Sequence, residues 1–139
     1  MEPTQTPAPD GRMRLVQMWL AVFVQSMVFG LVLVVAALSL DVPGYRPEWG
    51  PYALGLAVLS ILPSIPLWRG YRDMLTSSRV HALSEAERLR LLQKRLMLGL
   101  AVADLPALAG FGYYFLTGQL LEMVGFCIVT SVIVYLYRP

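Results

Sequence analysis

From Leu15 to Leu40 the chain runs 26 residues without a charged side chain, interrupted only by Gln17, Gln25, Ser26 and Ser39. A hydrocarbon core of ~30 Å is crossed by about 20 apolar residues in a helix, so this stretch is read as a membrane span. Three further stretches follow. Tyr52–Trp68 has 17 residues and no charge, Leu96–Thr117 has 22 with Asp104 as its one charge, and Leu120–Tyr137 has 18 with Glu122. The second is barely long enough. Little of the 139-residue chain is left over for a separate soluble domain. Charged residues make up 14% of the sequence, against about 25% in ordinary soluble domains.

Lipid offers no hydrogen bonds to the backbone, so only helices or closed barrels can cross it. Barrel strands alternate apolar with polar residues, and Val32-Leu33-Val34-Val35-Ala36-Ala37-Leu38 does not alternate. The expected fold is therefore all-α, a four-span transmembrane helical bundle. The first run exceeds the ~7–15-residue apolar core of a secretory signal, and the Met1–Asp10 stretch before it carries no basic residue. It is read as a retained span behind a disordered tail, residues 1–14.

Lys and Arg set the orientation. Ten of the eleven fall in the N-terminal tail, in Arg69–Arg95 or at Arg138; Arg46 alone falls in the Asp41–Pro51 loop. Basic residues are held on the cytoplasmic side, which predicts both termini inside and a bacterial plasma-membrane address. Trp and Tyr favour the two interfaces. Trp19, Trp68, Tyr71, Tyr135 and Tyr137 are expected at the inner boundary, and Tyr45, Trp49, Tyr52, Tyr113 and Tyr114 at the outer. Ser84-Glu-Ala-Glu87 has the spacing of a capping box, so the third span should begin in water as a basic, amphipathic cytoplasmic helix that enters the bilayer near Leu96. Pro51 suits the first position of the second helix. Thr117-Gly-Gln119 leaves room only for a tight turn between the last two spans.

Composition excludes more than it assigns. A net charge of +2 gives no reason to expect a nucleic-acid partner, and one Cys with one His cannot supply the usual zinc or haem ligands. There is no nucleophile–base pairing and no phosphate loop. No cofactor and no enzymatic activity are expected. Cys127 and the seven Met read as packing residues, and His81 as solvated.

Asp104 is the informative position. Eight residues past Leu96 it lies ~12 Å into the membrane, where an ionised carboxylate costs about 2.5–3.5 kcal/mol on insertion scales. By the same rise Gln25, Ser60 and Thr130 lie at its depth, with Ser26, Ser64 and Ser131 adjacent. The expectation is an intramembrane polar layer with Asp104 as its ionisable member and Gln25 as its partner. Such a layer serves as interhelical glue or as an ion, proton or ligand site. Pro63, Pro66 and Pro106 should kink their helices and free the carbonyls of Leu59, Leu62 and Val102. Gly99, Ala103 and Ala107 recur every four residues, a stripe of small side chains that lets helices approach closely.

Asp104-Leu-Pro-Ala-Leu-Ala-Gly110 resembles the carboxylate segment of rotary ATP synthase proteolipid subunits, in which an acidic residue precedes a Gly by six positions. The resemblance implies a proton- or sodium-binding carboxylate at Asp104. It departs from that family in the preceding span, which has the single Gly55 where a Gly repeat is expected, and in the long Arg69–Arg95 connection. As a whole the chain resembles small four-helix bacterial integral membrane proteins. The expected role is that of a non-enzymatic accessory or assembly subunit, embedded in a lipid bilayer and joined to copies of itself or to a larger membrane complex. The alternative is a proton- or ion-coupled transport element using Asp104.

Overall fold

The structure, a computed structural model, describes residues 11–139, and over them every regular element is a helix. Helix α1 spans Gly11–Leu40. A 3-10 turn at Pro47–Trp49 leads into α2, Gly50–Leu59, with Pro51 in its first turn. Then come α3, Ser64–Thr76, and the short α4, Ser78–His81. Helices α5, Glu85–Ala103, and α6, Leu105–Thr117, follow in one line of chain, and α7 is Leu120–Leu136. The helix begins earlier than the apolar run: Gly11–Arg14 are its first turn rather than tail, because Arg12, Met13 and Arg14 are good helix formers with no proline among them. The rest of the expected tail, residues 1–10, lies outside the described residues.

Three helical stretches are long and apolar enough to cross a membrane: Gly11–Leu40, Pro47–Thr76 and Glu85–Thr117. The second is longer than the charge-free run predicted, since its helical turns continue on both sides. The fourth, α7, is apolar but has 17 residues, about 25 Å of helix, and is borderline by length.

The second span is interrupted ahead of its prolines, but the Leu59 and Leu62 carbonyls are not left open. Around Pro63 and Pro66 the chain tightens: Leu62 N–H donates to Leu59 O at 3.1 Å and Ile65 N–H to Leu62 O at 3.2 Å. Shorter turns thus recover the bonds that proline removed. At Pro106 the break falls two residues earlier, at Asp104, which ends α5 and precedes α6.

Helix α6 packs on α7 and on α2, α5 on α3, and α1 on α7 and α5. Two apolar clusters result. One holds Leu15, Trp19, Tyr71, Leu96, Leu100, Ile133 and Tyr137; the other holds Ala37, Val42, Tyr114 and Met123. The small-residue stripe is spent inside the chain. Gly99, Ala103 and Ala107 are all buried, and Gly99 lies against the ring of Tyr137.

The aromatic residues expected at the interfaces differ in how far they are covered by other helices. Trp19, Tyr71, Tyr113, Tyr114 and Tyr137 are buried, whereas Tyr45, Trp49, Tyr52 and Tyr135 are exposed. Two of the indoles, Trp19 and Trp68, close a helix end. The last carbonyls of a helix lack intrahelical donors; at the end of α7 they receive indole N–H groups from two other helices. Trp19 Nε1 donates to Val134 O and Trp68 Nε1 to Leu136 O, each at 2.9 Å. Trp19→Phe should lower stability by about 1–3 kcal/mol through the lost bond and the smaller ring. Thermal unfolding in detergent measures it, with Trp49→Phe, exposed in the loop, as the neutral control.

The opposite end is closed by the first loop. Tyr45 N–H donates to Phe115 O at 3.1 Å and Arg46 N–H to Leu116 O at 3.0 Å. The Tyr114 hydroxyl accepts Val42 N–H at 3.1 Å and donates to Ala37 O at 2.7 Å.

Candidate functional site

Helix α5 starts as its sequence predicts, with Ser84 at the cap. Its Oγ accepts Glu87 N–H at 3.4 Å, but the reciprocal arm differs: the Ser84 hydroxyl donates to Glu87 Oε2 at 2.8 Å. From there α5 carries Leu92, Leu96, Gly99, Leu100 and Ala103 inward on one buried face. Continuing that face one position past Ala103 brings Asp104 to the break between α5 and α6, partly buried.

Asp104 Oδ1 accepts a hydrogen bond from the Ser26 hydroxyl of α1 at 2.8 Å. The partner expected from depth alone was Gln25, and that expectation is corrected. Gln25 is exposed, because one residue along a helix turns the side chain by 100°. The buried residues of α1 are Leu15, Trp19, Ser26, Leu33 and Ala37. Their spacing of four and seven is a single helical stripe, and it contains Ser26 rather than Gln25. That periodicity was present in the sequence as Trp19 seven residues before Ser26 and Leu33 seven after it.

The other members of the expected layer do not converge on the carboxylate. The Ser60 hydroxyl donates to Ala57 O within its own helix, as Ser131 does to Cys127 O. Thr130 is buried on α7, and its Oγ1 has no hydrogen-bond partner among the described residues. Ser64 Oγ is likewise buried without a partner, while the Ser64 carbonyl accepts the Tyr137 hydroxyl at 3.2 Å. The layer is thus one interhelical bond, Ser26 to Asp104, with two hydroxyls bonded locally. In α1, α5–α6 and α7 it lies in sequence between the two apolar clusters.

The remaining singled-out residues fall into place around this. His81 is exposed and held twice: Nδ1 lies 2.7 Å from Ser77 O and Nε2 lies 3.2 Å from Arg88 Nη2. Protonation of Nδ1 satisfies both contacts. Cys127 is a half-buried free thiol, and a Cβ on Gly30 of α1 would lie 3.8 Å from its Cβ. Among the described residues no group of three or more His, Cys, Asp and Glu could hold a metal ion. The chain is a small multi-helical membrane-associated protein without evident catalytic or metal-binding features among the described residues.

Compared with protein-family models, with curated proteins and with solved structures, the chain matches none. The likeness of Asp104–Gly110 to proteolipid subunits therefore has no family match behind it.

Proposed function

We propose that this protein is a four-span membrane subunit with both termini in the cytoplasm of a bacterial cell, and that it works without catalysis by holding helices of a partner subunit. The observation that carries this reading is an apolar groove of about 450 Å³ between α2 and α6, walled by Leu56, Leu59, Ser60, Leu105, Leu108 and Ala109. It opens where the turn at Ser60–Pro63 and the break at Asp104 interrupt both helices at one level. Small residues such as Ser60 and Ala109 let another backbone come close. Helix α1 adds a second uncovered apolar surface, with Leu31 64% exposed and Leu38 61%. An even number of spans is supported by the distribution of charge, with ten of eleven Lys and Arg in the tail, the Arg69–Arg95 segment and the C-terminal end.

A photo-crosslinking amino acid at Leu56 or Leu108, activated in native membranes, tests the partner. A discrete adduct with a second membrane protein supports the reading. Adducts to lipid alone overturn it, and an adduct to a second copy replaces the partner subunit with a homo-oligomer.

The alternative, a proton- or ion-coupled element, is favoured by the depth of Asp104. Dicyclohexylcarbodiimide labelling of Asp104 that Na⁺ suppresses would support it. The structural reading expects no labelling and expects Asp104→Asn to fold as the parent does, since the amide oxygen still accepts from Ser26. A double-mutant cycle with Ser26→Ala and Asp104→Ala should return a coupling of about 0.6–1.7 kcal/mol, the range found for polar pairs between membrane helices.

A further inference from the structure

Helices α1 and α5 pack together and both run from the basic end into the bundle, so they lie parallel there. Each enters with the same order of side chains. Arg14-Leu15-Val16-Gln17 opens one and Arg90-Leu91-Leu92-Gln93 the other. Residues three apart share a helix face, and all four polar side chains, Arg14, Gln17, Arg90 and Gln93, line one cleft of about 500 Å³. Both arginines are exposed, and no carboxylate is among the described residues that line the cleft. Leu15, Met18 and Leu89 supply its apolar surface.

We propose that this cleft binds the phosphodiester headgroup of an anionic membrane lipid. The order of groups along the cleft is that of the lipid itself. Two guanidiniums stand at the outer level, where planar donors pair with phosphate oxygens. Two carboxamides stand one helical turn deeper, ~4.5 Å along the axis, at the level of glycerol and ester oxygens. Met18 lies one residue deeper again, where acyl chains begin, while Leu15 and Leu89 flank the arginines. A free phosphate would use the arginines and leave the rest of this gradient idle. The adjoining cleft, which shares Leu15 and Leu89, is also about 500 Å³ but has Glu85 beside Arg12 and Arg88. That carboxylate makes it the poorer anion site, and the Arg14–Arg90 cleft is the one assigned.

The test uses the full chain in a neutral detergent, with phosphatidylglycerol, phosphatidylcholine or inorganic phosphate added. Native mass spectrometry reads bound lipid, and thermal unfolding reads stabilisation. Phosphatidylglycerol should remain bound and raise the unfolding temperature, while phosphatidylcholine and inorganic phosphate at equal concentration should do neither. R14Q/R90Q should weaken phosphatidylglycerol binding by about thirtyfold and R90Q alone by about fivefold, from the attraction of each basic residue to anionic lipid. R72Q/R79Q removes the same charge from exposed positions outside the cleft and should change binding by less than about twofold, because such charges act only through a screened field. Equal loss in R72Q/R79Q, no loss in R14Q/R90Q, or equal binding of phosphatidylcholine overturns the site. Equal stabilisation by inorganic phosphate overturns the assignment to lipid. These outcomes do not depend on whether the α2–α6 groove has a partner.

Discussion

Replacing Gly118 by Ala should destabilise the bundle by about 2–4 kcal/mol, the sum of left-handed strain and a forced clash. Gly118 ends α6 at φ 74°, a conformation that an L side chain adopts at a cost. A Cβ there would also lie 2.9 Å from Val42 O and 3.1 Å from Pro43 C. Both are main-chain atoms of the first loop, and they cannot turn aside as a side chain would. The loop itself approaches closely: Gly44, at φ 90°, would place a Cβ 2.8 Å from the Thr117 carbonyl. Thermal unfolding in detergent should show the loss for Gly118→Ala. Gly112→Ala, where a Cβ meets nothing within 4 Å, should be neutral or slightly stabilising. Equal behaviour of the two variants would show that the loop does not sit on the turn.

Gly99→Ala should cost about 1–3 kcal/mol, the range for overpacking a filled interior. Its new Cβ would run into the Tyr137 ring, at Cε1 and, at 2.6 Å, Cζ. The ring has little room to move, because it is fully buried, lies 5.9 Å from the Tyr71 ring between centroids and donates its hydroxyl to Ser64 O. The double variant Gly99→Ala/Tyr137→Leu should recover part of the loss, whereas two unrelated sites would add. Full additivity would separate Gly99 from Tyr137.

Much of the fold was legible because charge-free length is a strong signal. The run 15–40 became α1, and the Asp104–Pro106 interruption became a helix boundary. Pro63 likewise marks where the second span divides, with Pro66 in the first turn of α3. The aromatic residues were harder to read. Trp19 has the composition of an interface anchor, and only tertiary contact shows that its indole closes the end of α7 from 115 positions away. Depth counting found the level of Asp104 but not its partner, since rise along a helix says nothing of rotation around it. Rotation was encoded in the Leu15, Trp19, Leu33 and Ala37 stripe, whose contrast is weak when the lipid-facing side is apolar too. The cleft at Arg14 and Arg90 was half visible: the basic residues were plain, but the parallel approach of two distant segments was not.

Closure of the first loop onto α6 also bears on the order of events during synthesis. Val42 and its partner Tyr114 are 72 positions apart, which is roughly 4–14 s of ribosome time at ~5–20 residues per second. For that interval α1 and the loop wait without their partners. Ser26 too stays unclasped until Asp104, 78 positions later, has been made. The nascent first hairpin is therefore an unfinished object, and its final shape is dictated by residues that the cell has not yet translated.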